Sequence, residues 1–277
     1  MKIENSALAF IGCGVMAESI IAGLLREKVV AQSQIVASHP RADRREYLAD
    51  KYGIEVFGSN VDAVASLPAN DSTVVLCVKP QRLNVLLSEL SGTVGPGHLI
   101  VSIVAGGRID TIATALSNDL IVRVMPNTPS QIGAGMAVWT CSERVDDGHK
   151  GQVRKILSAL GRELFVENEN MIDMATSLSA TGPTYIFMVM EAMTDAGVHL
   201  GFSREISKEL VQQTMLGSVM FAIESNKHPA ELRNMVTSPG GTSAEAIYQM
   251  EKGSLRTVLS KAIYAAYKRA VDLGKNK

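Results

Sequence analysis

Short apolar runs alternate with amphipathic stretches along the first part of the chain, up to about residue 166. Ala7–Ile11 reads as a strand, and Ser19–Leu25 continues a helix with apolar Ile20, Ile21, Leu24 and Leu25. Gln34–Ser38 follows as a second strand and Arg41–Lys51 as a charged helix. Further strands are expected at Ile54–Phe57, Thr73–Val78, Leu99–Val104 and Leu120–Val124, then at Met136–Cys141 and Glu163–Val166. Strands spaced by helical stretches predict a mostly parallel sheet covered on both faces. Runs such as VVLCV, apolar at every position, fit strands buried on both sides.

After Asn168 the strand signals stop. Met171–Leu178, Tyr185–Leu200, Arg204–Glu224, Ala244–Met250 and Leu255–Leu273 read as helices. Gly182-Pro183, Gly201, Pro229, Pro239-Gly240-Gly241 and Gly253 punctuate them. Tyr185–Val198 is apolar on most faces, which predicts burial, with a second subunit as one covering surface. The break predicts two domains, 1–166 and 167–277, joined without a flexible linker.

Composition removes whole classes of function. Lys+Arg number 27 against 28 Asp+Glu, with 46% hydrophobic and 20% charged residues. Such a chain has too much apolar content for long disorder and no basic excess for nucleic acid. No apolar run approaches the roughly 20 residues that span a bilayer, and MKIENSALAFIGCG lacks the long apolar segment of a signal peptide. Cys13, Cys77 and Cys141 are widely spaced without CxxC, which argues against a disulfide framework and against a metal site. Reduced thiols and a cytoplasmic location are the expectation.

The first candidate chemistry lies just past the first strand. Gly12-Cys13-Gly14-Val15-Met16-Ala17 is G-x-G-x-x-A between a predicted strand and a predicted helix. Gly12 permits the tight turn, Gly14 lets the backbone approach a pyrophosphate, and Ala17 allows close helix–strand packing. The N–H groups of Val15, Met16 and Ala17 open the helix toward the phosphates. The second strand ends in Ser38-His39-Pro40-Arg41, without the acid that would hold a ribose 2′-hydroxyl. Ser38 can donate to a phosphate and Arg41 or Arg44 can pair with one, so NADP(H) is favoured, with NADH possible. A solvated helix face remains the alternative for these arginines. His39 receives no catalytic role.

Two further segments follow strands at the ligand-binding edge of such sheets. Cys77-Val78-Lys79-Pro80-Gln81 ends the fourth strand, and Met125-Pro126-Asn127-Thr128-Pro129 follows a later one. Val78, Lys79 and Pro80 are cofactor candidates, as is Asn60, and the Asn127 amide suits a nicotinamide carboxamide. In the helical half, Thr242-x-x-Glu245 has capping-box spacing after Gly240-Gly241. A helix N-terminus suits a carboxylate or phosphate. The spacing commits the Thr242 hydroxyl to the cap and leaves Ser243 to face a ligand.

These segments, together with Thr181-Gly182-Pro183-Thr184-Tyr185, stand in the order and spacing of pyrroline-5-carboxylate reductase, which the chain resembles over nearly its whole length. Pro229–Glu251, around SPGGTSAEAI, is the most specific part of the likeness. The resemblance implies an α/β fold, with an N-terminal Rossmann-type doubly wound sheet followed by an all-α dimerisation domain. It implies a homodimer or a higher homo-oligomer. The implied activity is reduction of 1-pyrroline-5-carboxylate to L-proline by hydride from NAD(P)H, the last step of proline biosynthesis. It places the substrate on Gly240, Gly241, Thr242, Ser243 and Thr181, with Ser243 at the ring nitrogen as the catalytic candidate. Ser243 stands where the family often has threonine, and Thr181 and Thr184 where it has serine and alanine. A related β-hydroxyacid dehydrogenase would carry a catalytic lysine early in the helical half, and Ser177–Ala192 contains none. A non-catalytic NADP-binding sensor is the alternative from another class.

Overall fold

The computed structural model describes Ile3 and residues 6–275. Residues 1–2, 4–5 and 276–277, the outer ends of the two expected domains, lie outside them. The chain forms two compact units, Met1–Thr181 with Ala265–Lys277, and Gly182–Tyr264.

Among its described residues the first unit has eight strands: β1 (Ala7–Ile11), β2 (Ile35–Ser38), β3 (Glu55–Phe57), β4 (Asn70–Leu76), β5 (Gly97–Ser102), β6 (Ile121–Met125), β7 (Gly135–Cys141) and β8 (Gly161–Phe165). They lie in the order β3-β2-β1-β4-β5-β6-β7-β8. All neighbours are parallel except β6 and β7. The order reverses between β1 and β4, so the loops leaving those strands diverge and open a crevice at their carboxyl ends. Six helices flank the sheet: α1 (Val15–Arg26), α2 (Ala42–Tyr52), α3 (Asn60–Ala65), α4 (Leu83–Leu90), α5 (Ile109–Leu116) and α6 (Asp147–Ser158). Ile20, Ile21 and Leu24 of α1 and Val153, Ile156 and Leu157 of α6 fill one core with Leu8, Phe10 and Trp139. Leu83, Leu86, Leu87 and Leu90 of α4 fill another with Ala9, Ile11, Val74 and Leu76. Alternate residues of β1 and β4 thus enter opposite cores, the two-sided burial expected from their apolar runs.

Two expected strands end two residues early. β4 stops at Leu76 rather than Val78, and β5 at Ser102 rather than Val104. Apolar character does not mark either end, because Val104 in the loop is as buried as the strand before it.

The remainder is helical: α7 (Asn170–Ala175), a π-helical turn (Thr176–Ala180), α8 (Gly182–His199), α9 (Arg204–Ser225), α10 (Pro229–Met235), α11 (Thr242–Lys252) and α12 (Leu255–Lys275). The end of α12 belongs to the first unit, where a Cβ on Gly106 would come within 2.7 Å of the Leu273 backbone. Within the second unit α8 and α9 pack together, yet Ser207 and Val211 are the buried residues of α9 and none of α8 is buried. The expected burial of Tyr185–Val198 is therefore not met by one chain. Ile186, Phe187, Met188, Val219, Met220, Phe221 and Ile223 all stand exposed, Ile223 by 69%. Apolar surface on this scale marks an association face. Replacing Val219 and Ile223 together by Glu should preserve helical circular dichroism while lowering the sedimentation mass to that of one chain. An unchanged mass would remove this face from assembly.

Candidate active site

β1 runs into Gly12, whose φ of 82° is open to glycine at little cost. A Cβ there would lie 2.5 Å from Val78 Cγ1, so the turn and the exit of β4 approach as closely as atoms allow. Gly14 differs. A Cβ on it would meet nothing nearer than the Gly12 carbonyl at 3.9 Å, leaving open space in front of the α1 N-terminus. Gly14 is the N-cap, and no side chain caps the helix. The N–H groups of Val15, Met16 and Ala17 open α1, where a helix supplies no acceptors of its own. Ala17 is buried, as close helix–strand packing requires. An open cradle of unclaimed N–H groups fits a pyrophosphate.

At the end of β2, Ser38 is fully buried. Its hydroxyl accepts from the Gly12 N–H at 3.2 Å and donates to Asn60 Oδ1 at 2.8 Å. Asn60 Nδ2 in turn donates to Glu89 at 2.7 Å. Ser38 thus braces the glycine turn from below, and its one proton already has an acceptor. The three arginines beside it are held differently. Arg44 is clasped by Glu18, and Arg45 donates to the carbonyls of His39 and Pro40. Among the described residues, Arg41, 71% exposed, pairs only with Asp43 in the first turn of α2. Arg41 is therefore the arginine of this turn that an arriving phosphate can recruit most readily.

Val78 lies against Gly12, and Lys79 and Pro80 begin a short 3₁₀ turn past β4. Asn127, past β6, accepts the Met136 N–H on Oδ1 at 2.9 Å and donates to the Ser179 carbonyl at 3.4 Å. Its amide carbonyl is occupied within the fold. The Thr181 hydroxyl donates to the Thr176 carbonyl at 2.8 Å and keeps its lone pairs.

In the second unit the expected capping box is not formed. Gly241 is the N-cap of α11, and its carbonyl accepts the Ala244 and Glu245 N–H groups. Thr242 is already the first helical residue, one position too late to cap. Gly240, at a φ of 68°, turns the chain so that the backbone does this work. Among the described residues, the hydroxyls of Thr242 and Ser243 have no hydrogen-bond partner. This helix start offers two hydroxyls and first-turn N–H groups to a ligand.

Sequence reasoning missed an ionic cluster of Arg108, Arg123, Glu169 and Asp173, of which Arg123 and Asp173 are buried. Its signal was a single arginine inside the apolar strand IVRVM. Among the described residues, no group of three or more His, Cys, Asp or Glu is arranged to hold a metal. No described helix is long and apolar enough to cross a membrane. Burial pushes the Cys13 thiol up to about 12, which keeps it protonated.

Residues 169–273 match the family model for pyrroline-5-carboxylate reductase dimerisation, and residues 7–106 match a model described as NADP oxidoreductase, coenzyme F420-dependent. A pyrroline-5-carboxylate reductase of Synechocystis is 38% identical over 97% of this chain and 98% of its own length. The chain belongs to the pyrroline-5-carboxylate reductase family. Another member, from Pseudomonas aeruginosa, is 39% identical over 98% of each chain. The solved pyrroline-5-carboxylate reductase of Coxiella burnetii superposes with a TM-score of 0.86 at 34% identity, covering 98% of this chain and 99% of that one. The Plasmodium falciparum enzyme, solved with NADP bound, gives 0.88 at 28% identity, covering 98% and 99%. A prephenate dehydrogenase of Aquifex aeolicus, at 12% identity and a TM-score of 0.55, shares the fold alone. The reductase family's dimerisation segment is the one whose apolar faces stand open here, so the chain is a homo-oligomer.

Glu18 ties α1 to α2 beneath the cradle. Burial pushes its carboxyl up, but hydrogen bonds from Arg44, Lys51, Tyr52 and Tyr47 outweigh burial and hold it at about 2, against an ordinary 4.5. A carboxylate held low stabilises the fold above its unfolded value and loses that contribution as pH falls through the folded one. The contribution is therefore complete above pH 4.5 and fades toward pH 2. Glu18→Gln should lower the urea midpoint at pH 7 and flatten its decline between those limits. An equal decline in both proteins would show that Glu18 does not carry it.

Proposed function

We propose that the chain performs its family's reaction with its nucleotide bound along the carboxyl edge of the sheet and its substrate carboxylate on the start of α11. The chain is an oxidoreductase that reduces 1-pyrroline-5-carboxylate to L-proline, the closing step of proline biosynthesis, with NADP(H) as cofactor. The observation that carries the site assignment is the set of unpartnered donors at Thr242 and Ser243, beside the Gly240-Gly241 turn.

Gly12, Gly14, Val15, Met16 and Ala17 hold the pyrophosphate. Ser38, Asn60 and Arg41 line the adenosine ribose and its 2′-phosphate, while Val78, Lys79, Pro80 and Asn127 border the nicotinamide. When bound, NADPH supplies the hydride. Gly240, Gly241 and Thr242 receive the substrate carboxylate on backbone N–H groups, the Ser243 hydroxyl meets the ring nitrogen, and Thr181 contacts the substrate. A protonated cyclic imine needs no further activation, so the protein's task is proximity and orientation. The active assembly is a homodimer or a multiple of it, working in the cytoplasm with its three cysteines as free thiols.

Ser243→Ala should lower kcat/KM for the imine roughly two- to tenfold, the net worth of one hydrogen bond. Unchanged kinetics would remove Ser243 from the mechanism. Arg41→Ala should raise the Kd for NADPH while leaving that for NADH alone, read by fluorescence titration. Equal losses with both would assign Arg41 to the scaffold.

A further inference from the structure

β6 is apolar except at its centre. Arg123 is placed there with its side chain 1% exposed, between Ser102 of β5 and Thr140 of β7. Its guanidinium forks onto the helical segment that follows the sheet. Nη1 donates to Glu169 Oε1 at 3.0 Å, and Nη2 donates to Asp173 Oδ1 at 2.6 Å. Glu169 is shared, since it also meets Arg108 at 3.1 Å and accepts the Ile109 N–H at 2.9 Å. Asp173, 7% exposed, is paired with Arg123.

A buried ion pair is a poor source of stability, because desolvation offsets most of the attraction and apolar replacements often do as well. A fork onto two carboxylates does fix direction. Just beyond Asp173 the helix widens into the π turn Thr176–Ala180, where the Thr176 carbonyl accepts both the N–H and the hydroxyl of Thr181. Asn127, on the loop leaving the same strand as Arg123, holds the Ser179 carbonyl within that turn. β6 and its exit loop therefore hold this segment at two points, one before the π turn and one inside it. Single π turns persist where neighbouring contacts hold them, and they concentrate at functional sites.

We propose that Arg123 and Asp173 are positioning residues for substrate binding. Their buried pair sets the helical register of the π turn and so the place of the Thr181 hydroxyl. The proposal rests on the reading of Thr181 as a substrate contact. Neither member of the pair touches substrate or cofactor; both act through Thr181.

The test compares Asp173→Asn, Arg123→Lys, Thr181→Ala and the Asp173→Asn/Thr181→Ala double variant in the full-length protein. Displacing a contact by about an ångström costs on the order of tenfold or more, so KM for pyrroline-5-carboxylate should rise about tenfold in Asp173→Asn while the NADPH Kd, from fluorescence titration, moves less than about twofold. Arg123→Lys should show the same split, because an ammonium cannot fork onto both carboxylates. The double variant should be no worse than Thr181→Ala alone, the signature of two residues acting through one contact. If the single variants fold poorly, Arg123→Met with Asp173→Leu restores an apolar interior and should give the same rise in KM at undiminished Tm. A lowered Tm with unaltered KM, or additive losses in the double variant, would overturn the positioning role. Thr181→Ala without effect would overturn both the substrate reading of Thr181 and the proposal.

Discussion

The approach of Gly12 to Val78 is the constraint on which the nucleotide half depends. With no Cβ on Gly12, the chain leaving β1 turns within contact distance of the chain leaving β4, whose paired residues end at Ile11 and Leu76. The turn then delivers Gly14 to the head of α1 with nothing in front of it. A side chain at the first glycine would separate the two strand exits, and with them the walls of the crevice. Ser38 reinforces the same point from β2, accepting the Gly12 N–H while itself held by Asn60. The cradle is thus shaped before any ligand arrives, and binding need not supply the ordering of that backbone.

The order of strands and helices was legible because burial on two faces writes itself into unbroken apolar runs, and β1 was read to the residue. Strand ends were less legible, since Cys77, Val78 and Val104 remain packed after leaving the sheet. The start of α11 was misread for a related reason. Thr242 and Glu245 have the chemistry of a capping box, but the left-handed turn at Gly240 lets the Gly241 backbone take that place. Spacing alone does not reveal which of two adjacent residues caps a helix. The π turn has no sequence signature at all, as its residues Thr176–Ala180 are ordinary helix formers and polar small residues.

Several residues chosen for ligands turn out to hold the protein together as well. Ser38 and Asn127 carry polar groups at strand ends, and both lie at that edge. Buried polar atoms must find partners, so in the folded chain those groups bond to neighbouring backbone and side chains. Arg123 is the reverse case. A charged residue in a strand core carries no ligand motif, yet its partners lie 46 and 50 residues later in the chain and join the sheet to the following helix. Pairings over such distances are not visible in local pattern.

The last turns of α12 belong to the unit whose strands were made first, packing at Gly106 and near Arg108. The helical unit is therefore an insertion between two parts of one body, not an appendage to it. A ribosome completes all of Gly182–Tyr264 before it releases the last segment of the first unit. The contacts of that segment with Gly106 and Arg108 therefore form only after the whole helical insertion has been synthesised.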